Sequence, residues 1–178
     1  MAARYVAFLR GINVGGKHIL PMKDLKTIFE NASCTDVLTY IQSGNVVFRT
    51  NAKNLKTLAA SVAAQIHAQF GFSTPMVIRN AVQIQAILDG NPFLQTGADL
   101  AMLHVLFLAD LPSSCETLDP QRSPPDEFRV VGQEIYLHTP NGAGNTKLTN
   151  AYFDSKLKTV STGRNWRTVN TILAMMIN

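Results

Sequence analysis

Residues 37–49 read Val-Leu-Thr-Tyr-Ile-Gln-Ser-Gly-Asn-Val-Val-Phe-Arg. Two runs rich in β-branched and aromatic residues, 37–41 and 46–49, flank Gln42-Ser43-Gly44-Asn45, and this pattern predicts a β-hairpin. The hairpin decides the fold, because it makes neighbouring strands antiparallel. Upstream, Arg4–Leu9 is apolar enough for a buried strand. Pro21 suits a first helical position, and Met22, Leu25, Ile28, Phe29 and Ala32 follow at helical spacing. Downstream, Leu55, Leu58, Ala59, Val62, Ile66 and Phe70 mark the apolar face of a second helix that Gly71 ends. Met76–Arg79 is a short strand after Pro75. The order is βαββαβ, the ferredoxin-like arrangement.

The remainder echoes that plan loosely. Asn80 with Gln83 forms a capping box for a helix to about Asp89, which Gly90-Asn91-Pro92 stops. Met102–Leu108 is the most apolar stretch and reads as a central strand. Residues 112–126 carry Pro112, Pro120, Pro124 and Pro125, the mark of an irregular or short-helical connector. Phe128–Val131 and Glu134–His138 flank Gly132-Gln133 as a second hairpin. After the flexible loop 140–145, Thr146 can cap a helix through Leu148, Tyr152, Phe153 and Leu157. Val169, Ile172, Leu173 and Met176 space a last helix. The expectation is an α+β chain of two tandem ferredoxin-like (βαββαβ-type) subdomains with antiparallel sheets and packed helices, 1–79 and 80–178.

The 178 residues are 46% apolar and 16% charged, a globular composition. Cys34 and Cys115 form no C-x-x-C pair and read as reduced thiols of a cytoplasmic protein. The apolar run before Arg10 is too short for a signal-peptide core, and no stretch is long enough to span a membrane. Charge is uneven along the chain. Residues 1–79 hold nine Lys/Arg against three Asp/Glu, residues 80–146 two against eight, and residues 147–178 five against one. Basic ends around an acidic middle suit either an anion-attracting surface or simple internal balance.

Gly11 to Lys17, in Arg-Gly-Ile-Asn-Val-Gly-Gly-Lys-His, satisfies G-x-x-x-x-G-K. A phosphate-cradling loop of nucleotide hydrolases also needs a Ser or Thr next and a helix at once. Here His18 follows, the helix cannot begin before about Pro21, and βαββαβ is the wrong order for a parallel phosphate-binding sheet. Other chemistries fare worse. His18, His67, His104 and His138 have no metal-ligand spacing, Ser43 sits in no nucleophile elbow, and no carboxylate dyad stands out. The residues name no cofactor and no catalytic group. The topology and the basic ends also fit an RNA- or DNA-binding module, but the third strand offers only Phe48 for base stacking.

Three blocks carry a family resemblance: Tyr5 to Lys17, Thr39 to Phe48, and Thr146-Lys147-Leu148-Thr149-Asn150-Ala151 with Thr162-Gly163-Arg164-Asn165-Trp166. Together they resemble the bacterial domain-of-unknown-function family numbered 1697 over nearly the whole chain. The resemblance implies a small cytosolic α+β protein of two ferredoxin-like halves, with no agreed catalytic residue. Family members often carry threonine where Gly163 stands here.

The matching positions are polar, small or cationic, which suits a surface. They predict a polar cleft between loop 10–17, hairpin 42–45 and the C-terminal helices, holding a small anionic or phosphorylated ligand. Arg10, Lys17, Lys147 and Arg164 would supply charge. Asn13, Gln42, Ser43, Asn45 and Asn165 would supply hydrogen bonds, with Gly15, Gly16 and Trp166 in the walls and Asn150 assigned to the site as a match to the family blocks. The alternative is that these polar groups serve turns and caps.

Overall fold

The computed structural model describes residues 3–177. Two compact units divide the chain. The first runs to Gln83 and takes in the segment from Ile172; the second spans Ile84–Thr171.

The first unit holds β1 (Ala3–Leu9), α1 (Met22–Asn31), β2 (Thr35–Tyr40), β3 (Asn45–Thr50), α2 (Leu55–Phe70) and β4 (Met76–Asn80). Its sheet is antiparallel in the order β2-β3-β1-β4. Local chemistry sets the boundaries. Pro21 sits at the N-cap of α1, one residue before the helix. Asn54 caps α2 by accepting from the N–H groups of Lys56 and Thr57, and Gly71 closes it in the left-handed conformation at φ 76°. The apolar faces of both helices, Leu25, Ile28 and Phe29 with Leu58, Val62 and Ile66, cover Ala7, Leu9, Val46 and Phe48. Phe48 is wholly buried with its ring centroid 5.1 Å from that of Phe29. It is a core residue, and the stacking role considered for it is corrected. Cys34 joins this core, and burial pushes its thiol up to about 11.

Helix α3 (Ala81–Asp89) follows β4 directly. Asn80 and Gln83 cap its start reciprocally: Gln83 N–H donates to Asn80 Oδ1 at 2.8 Å and Asn80 N–H to Gln83 Oε1 at 2.9 Å.

The second unit holds β5 (Leu103–Leu108), β6 (Glu127–Val131), β7 (Glu134–His138), α4 (Asn150–Leu157), β8 (Ser161–Asn165) and the start of α5 (Trp166–Ile177). Its sheet repeats the first order as β6-β7-β5-β8, all antiparallel. Leu148, Tyr152, Phe153 and Leu157 pack on Leu106, Leu108, Ile135 and Leu137. The connector 112–126 forms no helix. It is tied down by Asp119 N–H donating to the Tyr152 hydroxyl at 2.8 Å and by Arg122 over the Tyr152 ring at 5.0 Å. On the other face of this sheet the buried Tyr136 hydroxyl donates to the Ile87 carbonyl of α3 at 3.0 Å. Burial, helped by Glu134, pushes that phenol up to about 12.

One local expectation is corrected. Thr149, not Thr146, caps α4, accepting from Tyr152 N–H at 3.2 Å, while Thr146 Oγ1 accepts from Leu148 N–H in a turn. Residues 161–165, given no element from the sequence, are the strand β8 paired with β5. Among the described residues no helix is long and apolar enough to cross a membrane.

Gly44 shows how tightly the first sheet closes. It has φ 76°, and a Cβ there would lie 2.8 Å from both Leu9 Cβ and Ile12 Cδ1. Gly132 has φ 60° but open space around it. Gly44→Ala should therefore cost about 2–4 kcal/mol, strain plus overpacking, and Gly132→Ala about 1 kcal/mol, strain alone. Denaturant midpoints compared at equal slope check the difference.

Candidate functional site

The glycine-rich segment of the first unit is a small hairpin rather than a helix-capping loop. Val14 and Lys17 form an isolated bridge, Lys17 N–H donates to the Val14 carbonyl at 3.0 Å, and Asn13 N–H to the His18 carbonyl at 3.1 Å. Gly15 and Gly16 sit at φ 57° and 72°, the two left-handed positions that a two-residue hairpin turn demands. Asn13 organises the base of this hairpin. Its Oδ1 accepts from Leu20 N–H at 2.8 Å, and its Nδ2 donates to the carbonyls of Leu20 and Gln42, both at 2.9 Å. His18 stacks on Phe72 with centroids 4.6 Å apart, and its Nδ1 donates to the Gly11 carbonyl at 3.0 Å. Asn45 is wholly buried; its Nδ2 donates to the Tyr40 carbonyl and to Ser43 Oγ, both at 3.0 Å. The Arg10 carbonyl accepts from the Thr74 hydroxyl at 2.8 Å. Asn13, Gln42, Ser43 and Asn45 thus hold two adjoining turns, with Lys17 exposed at the tip.

The second unit has an open-mouthed cavity of about 360 Å³ at the start of α4. Its floor is Leu106, Leu137 and Leu148, with Ala143 and Gly144 at one side. Its polar lining is His104, Thr146, Thr149, Asn150, Arg164 and Asn165. Strand pairing explains the grouping. His104 faces Asn165 and Leu106 faces Gly163 across β5 and β8, so these four share the side of the sheet that α4 covers. Arg164 alternates to the other side. Its Nη1 donates to Thr162 Oγ1 at 3.0 Å and to the Gly163 carbonyl at 2.7 Å, and burial pushes it down to about 10. The backbone of Arg164 therefore borders the cavity while its guanidinium is engaged elsewhere. Trp166 is buried and Lys147 exposed; neither lines the cavity.

Two side chains present defined hydrogen-bonding ends. Asn165 Oδ1 accepts from Thr168 N–H at 2.8 Å, capping α5 and keeping its oxygen engaged, so the NH₂ is the end it can offer a ligand. Asn150 Nδ2 donates to Ser161 Oγ at 2.8 Å, and Ser161 in turn is bonded to Asp154. The hydroxyls of Thr146 and Thr149 accept from backbone N–H groups and keep their own protons for another partner. His104 contributes a ring whose Nδ1 is buried without a hydrogen-bond partner, and burial lowers its pKa from 6.5, favouring the neutral imidazole at neutral pH. Among the described residues no cluster of three His, Cys, Asp or Glu could hold a metal.

Gly163 is what leaves room. Its backbone is not in the left-handed region, and a Cβ would meet Asn150 Oδ1 and Leu106 Cγ at 3.8 Å, ordinary contact distances. The strand does not require glycine here. A glycine in a strand without a backbone reason costs roughly 0.5–1 kcal/mol and marks close approach of something to the backbone. His104, Thr146 and Thr149 were not legible as site residues. The signal for His104 was a polar residue at an inward position of an otherwise apolar strand.

Residues 2–136 match the model of a family described as "Protein of unknown function (DUF1697)". Among solved structures, the chain is similar to the conserved bacterial protein SP0830 from Streptococcus pneumoniae at 20% identity, with 99% of each chain covered and a TM-score of 0.68. That likeness concerns the fold. No curated protein matches.

His104 gives a pH signature. Its folded pKa lies below its ordinary 6.5, so the stabilisation is whole above about 6.5 and is lost as pH falls toward the folded pKa. Urea midpoints at pH 7.5 and 5 should separate further in the parent than in His104→Gln. In the first unit, Asn13→Ala should cost about 2 kcal/mol by orphaning backbone groups and should speed amide exchange at Leu20 while leaving that of β3 unchanged.

Proposed function

The chain belongs to the DUF1697 family, and from that premise we propose that it binds a small anionic or phosphorylated ligand in the cavity of its second unit. The carrying observation is a cavity of about 360 Å³ with an apolar floor, a polar rim and a strand glycine that the backbone does not need. Small-ligand sites have this size and composition. Three donors suit an anionic group: the Asn165 amide and the hydroxyls of Thr146 and Thr149. The first-turn N–H groups of α4 add a favourable dipole. No cationic side chain needs to enter, since the Arg164 guanidinium is engaged on the other face of β8. The polar turns around Asn13 and Asn45 support this reading by contrast: their amides are engaged with backbone and neighbouring side chains.

The test is a thermal-shift screen of phosphorylated and carboxylated metabolites on the parent and on Gly163→Val. A β-branched residue suits the strand and fills the cavity. A ligand at about 100 times its dissociation constant should stabilise the parent by about 2.7 kcal/mol and leave the variant's melting temperature unmoved. Equal stabilisation of both proteins would place binding outside the cavity.

A further inference from the structure

We infer that the ligand of this cavity is a hydroxylated anion, because Asn150 is locked with its carbonyl oxygen, not its NH₂, toward the cavity; the inference rests on the binding reading above. The lock follows from counting protons. Asp154 Oδ1 receives both Ser161 N–H at 2.8 Å and Ser161 Oγ–H at 2.7 Å. A carboxylate only accepts, so the single hydroxyl proton of Ser161 is committed to it. Ser161 Oγ must then accept from Asn150, and the bond at 2.8 Å has to come from the Nδ2 end. Ser161 is wholly buried, so water does not compete for these partners.

The amide is planar, so its other end points away from Ser161. Asn150 Oδ1 lies 3.8 Å from where a Gly163 Cβ would stand, on the cavity wall that Gly163 leaves open. The cavity therefore carries an acceptor beside the strand glycine and donors at Asn165, Thr146 and Thr149. A bare anion satisfies the donors and is repelled by the Asn150 carbonyl. A molecule carrying both an anionic group and a hydroxyl satisfies both ends, and Leu106, Leu137 and Leu148 receive its carbon skeleton. Asp154 and Ser161 are positioning residues: they set the polarity of a group that touches the ligand.

Two measurements test this. First, the nuclear Overhauser contacts of the Asn150 side-chain NH₂ in the free protein should reach Ser161 Hβ and miss Gly163 Hα, and Ser161→Ala should abolish that pattern. Contacts to Gly163 in the parent would overturn the lock whatever the ligand. Second, calorimetry uses sn-glycerol 3-phosphate, propyl phosphate and glycerol as probes. Glycerol 3-phosphate should bind the parent about tenfold tighter than propyl phosphate, the size of one well-made hydrogen bond. Asn150→Ala should bring the two together by weakening glycerol 3-phosphate alone. Equal binding of both phosphates to the parent would overturn the hydroxyl requirement and leave the anion reading standing. Binding of glycerol as tight as glycerol 3-phosphate would overturn the anion reading and leave the Asn150 acceptor standing. No heat from any of the three at millimolar concentration would overturn the assignment of this ligand class.

Discussion

Both sheets depend on a central strand whose apolar side chains are almost wholly withdrawn from water. In β1, Val6, Ala7, Phe8 and Leu9 are all 0% exposed; in β5, Leu103, Val105, Phe107 and Leu108 are as well. Such a strand has no solvent to satisfy its N–H and C=O groups, so it must be flanked by partners on both edges. β3 and β4 serve β1, and β7 and β8 serve β5. Polar side chains buried in these sheets bring partners, with His104 Nδ1 the exception. Asn45, Arg79, Ser161 and Arg164 are each buried and each hydrogen-bonded.

The two units solve the same problem with different material. Both fourth strands end in Arg-Asn before a helix, at 79–80 and 164–165. Both arginines donate to the carbonyl of the residue before them, and both asparagines cap the helix that follows. The difference lies after the central strand. In the first unit α1 joins α2 over the sheet, whereas in the second a proline-rich connector stands in its place. The helix-side cover of the second sheet is correspondingly incomplete, and the cavity sits where α4 begins.

Much of this was legible because periodicity and punctuation agreed. The 3.6-residue spacing from Leu55 to Phe70 with Gly71 beyond it located α2, and Asn80 with Gln83 located α3. β8 was not legible. Ser-Thr-Gly-Arg-Asn has no apolar alternation, because its inward side chains bond Asp154 and Asn150 instead of entering a hydrophobic layer. The cavity was half legible. Asn150, Arg164 and Asn165 were named as polar members of the family blocks, but their grouping with His104 needed the β5–β8 register, which no local pattern encodes. The Gly11–Lys17 segment misled for a physical reason: glycine pairs that turn a hairpin and glycines that expose N–H groups to phosphate look alike in one dimension.

The make-up of the first unit also constrains the order of events during synthesis. Its sheet, α1 and α2 are complete by residue 80, yet the unit includes the segment from Ile172. Arg4 reaches that segment, its Nη1 donating to the carbonyls of Met175 and Met176 at 3.3 and 3.2 Å across 171 and 172 residues. An N-terminal half leaving the ribosome can therefore form its strands and helices early but must wait for residues 172–177 before it closes. For that interval Arg4 lacks the carbonyls it later bonds, and translation speed through the second half sets how long the first unit stays unfinished.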